Sequence, residues 1–280
     1  MPRVKLGVER VNRLAHMGLA AIGMHGAALR ARDRMRARRA LRRDPHVAGP
    51  DGLPLPPDEL IAQVSGIRVA EEFIAGGAVG REVITAVLAG NGVRVAELGA
   101  MLDFGVGCGR IARHWAGLDV DVHGCDYNPE LVAWCRRNLP HVTARSNGLD
   151  PPLPYEDERF DLVYALSVFT HLTESRQRSW IAELRRVTRP GGLVLFTTHG
   201  PSFGFSDRAW PPPEIRARLA DGELVVVLPE HAGRNACTAI HPRAWVEEHM
   251  LAGLELLEYR ENGAEMNGGQ DLYLTRRSWS

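Results

Sequence analysis

From residue 100 onward, short apolar runs alternate with stretches in which apolar residues recur at helical spacing. Ala100 to Phe104 is an apolar run of strand length, and the IARHW segment after Gly109 has the spacing of a helix. VDVHGCD predicts a second strand ending at Asp126. Asn128 then caps a helix, Pro129 takes its first turn, and Leu131, Val132, Cys135 and Leu139 form its buried stripe. A third strand falls around Val142 to Arg145, and FDLVYAL is a fourth. The following stretch carries Trp180, Ile181, Leu184 and Val187 on one helical face, is stopped by Arg189-Pro190-Gly191-Gly192, and gives way to a fifth strand, LVLFTTHG. Pro242 to Leu251 predicts a helix, and Leu254 to Tyr259 and Asp271 to Thr275 predict two closing strands. Strands alternating with helices dictate an α/β fold with a parallel sheet and right-handed crossovers. Ligands in such sheets sit at the carboxyl ends of the strands, an edge that collects Gly105, Asp126, Asn147, Ser167 and His199.

Ahead of this core the pattern is less regular. Residues 45–58 hold five prolines and read as a linker. Asp58 can cap a helix running from Glu59 to Val64, Ser65-Gly66 breaks the chain, and Gly76 and Gly77 precede a helix with Val83, Ile84, Val87 and Leu88 on one face, closed by Gly90. These segments would be cap helices, 59–90, on a body spanning 59–280. Residues 201–240 lack simple periodicity apart from a short strand at Val225 to Leu228, and an insertion of that length at the sheet edge fits a substrate lid or dimer contact.

Composition is that of an ordinary soluble protein, 45% hydrophobic and 24% charged over 280 residues, but charge is unevenly placed. Residues 1–43 carry twelve Lys/Arg against Glu9 and Asp33, a net of +10, so residues 44–280 carry −10. The tail, 1–44, reads as a basic helical segment. Its Leu14 to Leu29 stretch is too short and too polar to span a bilayer, and its charges mostly follow the apolar stretch instead of preceding it as in a cleaved signal. A solvated tail is the expectation, with contact to an anionic membrane surface or nucleic acid as the alternative. Lys5 is the only lysine, which removes Schiff-base and P-loop chemistry from the body. Cys108, Cys125, Cys135 and Cys237 form no C-x-x-C pair and read as reduced thiols of a cytoplasmic protein, and the histidines show no metal-ligand spacing.

The chemistry concentrates in D-F-G-V-G-C-G-R, residues 103–110. Glycine at 105, 107 and 109 leaves the backbone open to a ligand and permits positive φ, and the helix predicted behind it would present free N–H groups. Asp103 lies inside the strand, where a carboxylate needs donors, and Asp126, at the end of the second strand, suits a ribose diol. The pattern G-x-G-x-G differs from a dinucleotide G-x-G-x-x-G. With GCDYNPELVAWC, PPLPYEDERFDLVYALSVFTHL and ELRRVTRPGGLVLFTTHG in that order, it resembles the class I S-adenosylmethionine-dependent methyltransferases of the bacterial small-molecule type, from about residue 60 to the end.

The resemblance implies a Rossmann-like seven-stranded sheet with a last antiparallel strand, and S-adenosylmethionine as cofactor. By position, Asp103, Gly105, Gly107 and Gly109 would hold the methionyl part, Asp126 the ribose, Tyr127 and Asn147 the adenine surroundings, and Ser167 the floor of the site. Ser146 or Leu149 could supply the contact given to Asn147. The acceptor is expected to be a small molecule methylated at oxygen. Nucleic acid is not expected, because ALSVF replaces the N/D-P-P-Y/F found in base N-methylating enzymes. The sulfonium is already activated, so no metal is required. His171, at the start of the helix after the fourth strand, is the candidate general base, with His199 the competitor and His241 a third candidate from the lid. Aminocarboxypropyl transfer, cyclisation, and a non-catalytic cofactor-binding scaffold are the alternatives.

Overall fold

The computed structural model describes residues 48–66, 69–203, 211–264 and 268–279. The basic tail, 1–44, lies outside them. Fifteen regular elements follow in order. Helices α1 (Asp58–Ser65) and α2 (Ala70–Gly90) precede β1 (Ala100–Phe104). Then come β2 (Asp121–Asp126), α3 (Pro129–Asn138), β3 (Val142–Ser146), β4 (Phe160–Ala165), α4 (Glu174–Val187) and β5 (Thr188–Thr198). After these lie α5 (Pro213–Ala220), β6 (Val225–Val227), β7 (Thr238–Ile240), α6 (Arg243–Met250), β8 (Leu254–Ala264) and β9 (Gln270–Arg277).

One sheet has the order β3-β2-β1-β4-β5-β9-β8. Strands β1 to β5 are parallel, and β9 runs antiparallel between β5 and β8. This is the expected α/β architecture. Period-2 alternation divides each central strand between two cores. Met101, Leu162 and Tyr164 face one core with α1, α2 and α3, while Leu102, Phe104, Val163 and Ala165 face the other with α4 and α6. Because β1 and β4 pair with Asp103 opposite Tyr164, the one acid in β1 shares a face with a tyrosine hydroxyl. The α3 start is as read: the Asn128 side chain accepts the Glu130 N–H, with Pro129 at the first turn.

Four local expectations are corrected. The segment after Gly109 forms only a four-residue 3-10 turn, Ala112–Trp115, in place of an α-helix. Gly76 and Gly77 do not break α2, which runs through both. A Cβ on Gly77 would overlap the Arg110 carbonyl oxygen, so glycine here lets the helix backbone lie directly on the glycine turn. Asp58 is the first residue of α1, with no side-chain cap. The proline-rich stretch is not a free linker over its described part. The Asp51 carboxylate takes hydrogen bonds from Arg113 Nε and Nη2 at 2.6 and 2.9 Å, and Leu53 and Leu55 pack on the core. In the insertion, β6 pairs with β7, a strand the sequence reading missed, as it did α5. His199 bridges Ile240 to tie this hairpin to the sheet edge.

Candidate active site

The glycine turn leaves β1 with φ of 83°, 56° and 79° at Gly105, Gly107 and Gly109, a left-handed backbone that other residues adopt only under strain. Four of its amides are already engaged. Gly105 and Val106 N–H donate to the Cys125 carbonyl at 2.9 and 3.0 Å, and Gly109 N–H donates to Val106 O. Gly107 N–H donates to Asp126 Oδ2 at 3.0 Å, while Asn128 N–H donates to Asp126 Oδ1 at 2.8 Å. At these four positions the expectation of free helix-start N–H groups fails, because no α-helix starts here, three of the donors serve Cys125 and Asp126 of β2, and Gly109 N–H bonds within the turn. What the turn does is aim Asp126, whose two carboxylate oxygens take the Gly107 and Asn128 amides and retain further lone-pair capacity.

A cavity of about 1050 Å³ opens at the carboxyl ends of β1, β2 and β4, large enough for a nucleotide-sized cofactor with a second small molecule. Asp103, Gly105, Gly107, Asp126, Tyr127, Asn147, Ser167 and His171 all line it. Gly109 does not line it; a Cβ there would overlap Leu139, which follows the last turn of α3, so this glycine serves packing at the helix end. His199 stands behind the wall. Gln270 Oε1 accepts hydrogen bonds from Ser167 Oγ at 3.0 Å and Thr197 Oγ1 at 2.6 Å, which turns its amide nitrogen toward His199 Nε2 at 3.3 Å. An amide nitrogen only donates, so the His199 Nε2 lone pair is engaged. Burial and the neighbouring His171 and His241 push the ring down to about 3. His199 is thus a neutral support for the Ser167 floor, and its assignment as a base is corrected. His241 is fully buried against Gln177, at 2.8 Å, and does not line the cavity either.

His171 is placed differently from expectation as well. It ends a 3-10 turn, Phe169–His171, ahead of α4, so no helix N-terminus acts on it. Burial holds its pKa below the ordinary 6.5, and the Cys237 carbonyl opposes that shift. That carbonyl, 2.7 Å from Nδ1, can only accept, so Nδ1 carries the proton and Nε2 the lone pair.

Burial pushes Asp103 up to about 7, against the Tyr164 hydrogen bond and the Arg110 charge. Trp115 Nε1 donates to Tyr164 Oη at 2.9 Å, so an ordered indole-to-phenol chain ends on this carboxyl group. Burial also raises Asp126, opposed by the amides of Asn128, Gly107 and Tyr127. Asn147 Oδ1 is buried without a hydrogen-bond partner and belongs to the cavity wall, so a donor such as an exocyclic amine fits against it. The chain thus offers a buried acid at the glycine turn, a diol-binding carboxylate and an orphan acceptor. These fit the methionyl amine, ribose and adenine of S-adenosylmethionine.

One residue escaped the sequence analysis, and the 201–240 insertion, expected as a substrate lid or dimer contact, was not narrowed to the segment that lines the cavity. Arg110, directly after the turn, lines the same cavity; its place beside Asp103 in D-F-G-V-G-C-G-R was the available signal. A strap, residues 229–237, roofs the site. Gly233 N–H donates to His171 O at 2.7 Å, and Asn235 Nδ2 donates to Gln63 O of α1 at 3.1 Å. No local pattern marks that strap.

Residues 102–196 match the family model described as a methyltransferase domain. The chain is 32% identical over 99 residues to the malonyl-[acyl-carrier protein] O-methyltransferase of Pectobacterium atrosepticum, covering 35% of this chain and 38% of that protein. It is 35% identical over 100 residues to the tRNA (carboxymethyluridine(34)-5-O)-methyltransferase of Arabidopsis thaliana, covering 35% of this chain and 23% of that protein. The chain spans less than two thirds of the length of these curated relatives. Among solved structures, the glycopeptide N-methyltransferase MtfA complexed with S-adenosyl-L-homocysteine superposes with a TM-score of 0.52 at 14% identity, over 72% of this chain and 90% of that one. Fold and site together define a Rossmann-like domain with a nucleotide cavity at the glycine turn. Over residues 102–196 the chain matches a methyltransferase domain, and the groups lining its cavity fit S-adenosylmethionine as cofactor.

A pH dependence follows from Asp103. Its carboxylate form is the one that attracts the cofactor's ammonium, and in the free protein it is half populated near pH 7. Affinity should therefore rise about tenfold per pH unit up to pH 7 and flatten above it, with proton release on binding below that point. Titration calorimetry between pH 5.5 and 8.5, in buffers of different ionisation enthalpy, checks both; a flat profile contradicts the role of Asp103.

Proposed function

We propose that this protein transfers the methyl group of S-adenosylmethionine to an oxygen of a small molecule, with His171 as the general base. The observation that carries the reading is the roofed cavity with one imidazole nitrogen left as an acceptor. The strap and α1 meet over the site through Asn235 and Gln63, and His171 Nδ1 is committed to Cys237 O. A roofed cavity admits a small acceptor more readily than a folded polymer, and the charged residues in its lining are of both signs, Glu59 and Glu130 with Arg137 and Arg234.

The cofactor supplies a methyl group already activated on a sulfonium. The chain holds the two reactants in line and excludes water, which is where most of the acceleration of such a transfer originates. His171 Nε2 takes the acceptor's hydroxyl proton as the O–CH3 bond forms, and returns it to solvent afterwards.

The test is calorimetry with S-adenosylmethionine, followed by incubation with panels of phenols, hydroxy compounds and carboxylic acids, with total RNA alongside, and mass analysis of both product pools. The reading expects S-adenosylhomocysteine and a small molecule heavier by one methylene. Methylthioadenosine as the nucleoside product would indicate aminocarboxypropyl transfer or cyclisation. Methylated RNA with unmodified small molecules would overturn the acceptor class, and binding without turnover on either panel would favour a scaffold.

A further inference from the structure

Of the acids in the cavity lining, Asp103 takes the Tyr164 hydrogen bond, Asp126 takes two amides, and Glu130 stands exposed to water. Glu59 of α1 differs. Its Oε2 is shut off from solvent with no hydrogen-bond partner, and its carboxylate forms no ion pair among the described residues. A carboxylate left in this way is costly until a donor or a cation reaches it. The cofactor fit leaves it over, since Asp103, Asp126 and Asn147 already match an ammonium, a ribose and an adenine. We propose that Glu59 binds a protonated amine of the methyl acceptor, so that the acceptor is a hydroxy compound that also carries an ammonium group. This rests on the methyl-transfer reading proposed above.

Glu59 sits one helical turn before Gln63, on the same face of α1. Gln63 Oε1 accepts a hydrogen bond from Asn128 Nδ2 at 2.8 Å, and Gln63 O accepts one from Asn235 of the strap. Two residues after Asn235, Cys237 O holds His171. The carboxylate therefore belongs to the roof of the chamber whose wall carries the base. The arginines of the lining serve other places: Arg110 is set against Asp103, Arg234 interacts with Tyr127, and Arg137 sits in the last turn of α3. Toward the reacting end the chain presents lone pairs. His171 Nε2 carries no proton, and Ser167 Oγ gives its proton to Gln270 Oε1 at 3.0 Å. A carboxylate as the methylated group would meet these acceptors and the Glu59 charge together, whereas a hydroxyl donates to the acceptors and an ammonium donates to Glu59. An ammonium bound to a carboxylate has no lone pair to give, so the amine is the handle and the hydroxyl oxygen is the atom methylated.

The test uses matched acceptors on three skeletons, a phenol, an alkanol and a sugar, each carrying an ammonium, a methyl or a carboxylate substituent at the same position. It reads kcat/KM and locates the added methyl by mass analysis. Wild type should favour the ammonium member over the neutral one by roughly tenfold to a hundredfold, the scale of a charge-assisted hydrogen bond, and take the carboxylate member least. Glu59→Gln should level the members, through KM more than kcat, and Glu59→Asp should keep part of the preference. Calorimetry of Glu59→Gln with S-adenosylmethionine and S-adenosylhomocysteine should match wild type for both. Hydroxyl methylation by wild type with no preference among the members, methylation at nitrogen, or a wild-type preference kept by Glu59→Gln overturns the amine subsite and leaves the methyl-transfer reading standing. Weaker binding of S-adenosylmethionine by Glu59→Gln, with S-adenosylhomocysteine unchanged, assigns the carboxylate to the sulfonium and overturns the subsite equally. Wild type methylating no member of any skeleton removes that reading and the subsite together.

Discussion

His171→Ala is expected to lower turnover about a hundredfold or more while leaving cofactor affinity unchanged, because loss of a positioned general base removes that much. On the proposed reading the cofactor groups would be held by Asp103, Asp126 and the turn, and not by the imidazole. The same residue sets a pH profile. Only the neutral ring accepts a proton, and burial keeps it neutral below its ordinary pKa of 6.5. The acidic limb should therefore fall below pH 6.5, with activity level through neutrality, and the limb should disappear in the variant. Steady-state kinetics with the acceptor identified by the panel, together with calorimetry for the cofactor, provide the check. Turnover within about tenfold of wild type would show either that His171 only packs against Cys237 or that the acceptor is acidic enough to need no base.

Asp51→Ala should destabilise the fold by about 1–3 kcal/mol, the scale for leaving a buried charged group without its hydrogen-bond partner where water can partly reach it. The Arg113 side chain is fully buried and Asp51 is 22% exposed, and the pair is bidentate. The remaining acceptors near Arg113 are two carbonyls, Leu53 O and Pro54 O at 3.2 and 3.3 Å, which cannot balance a full charge. Because Arg113 belongs to the 3-10 turn that follows the glycine loop, the variant should also loosen the cofactor site. Urea denaturation measures the first effect and calorimetry the second. A loss under 1 kcal/mol would mean that residues 48–57 do behave as a tether, and that Arg113 finds water when Asp51 is gone.

The parts of this protein that its sequence determines are those specified by neighbours along the chain. The strands from β1 to β5 follow from apolar runs of strand length, and the α3 start follows from Asn128 and Pro129. The ligand edge follows from glycines at 105 and 107 with acids at 103 and 126. Each depends on a backbone preference or a side chain reaching two or three residues away, so each is legible without the fold. The remainder was decided by contacts between distant segments. Gly77 was expected ahead of a helix and is instead inside α2, at the point where the helix rests on the Arg110 carbonyl. The prolines around Asp51 looked like a tether, and a buried guanidinium 62 residues away docks them. Three histidines were candidates by position, with His171 preferred to His199 and His241. Gln270, from the antiparallel β9, engages His199 and Gln177 engages His241. Cys237, from the insertion, fixes the proton of His171, so only His171 brings an imidazole to the cavity. A local pattern can place a titratable group at a strand end. Which of its lone pairs stays available depends on partners 64 to 71 residues away, and tertiary packing alone supplies them.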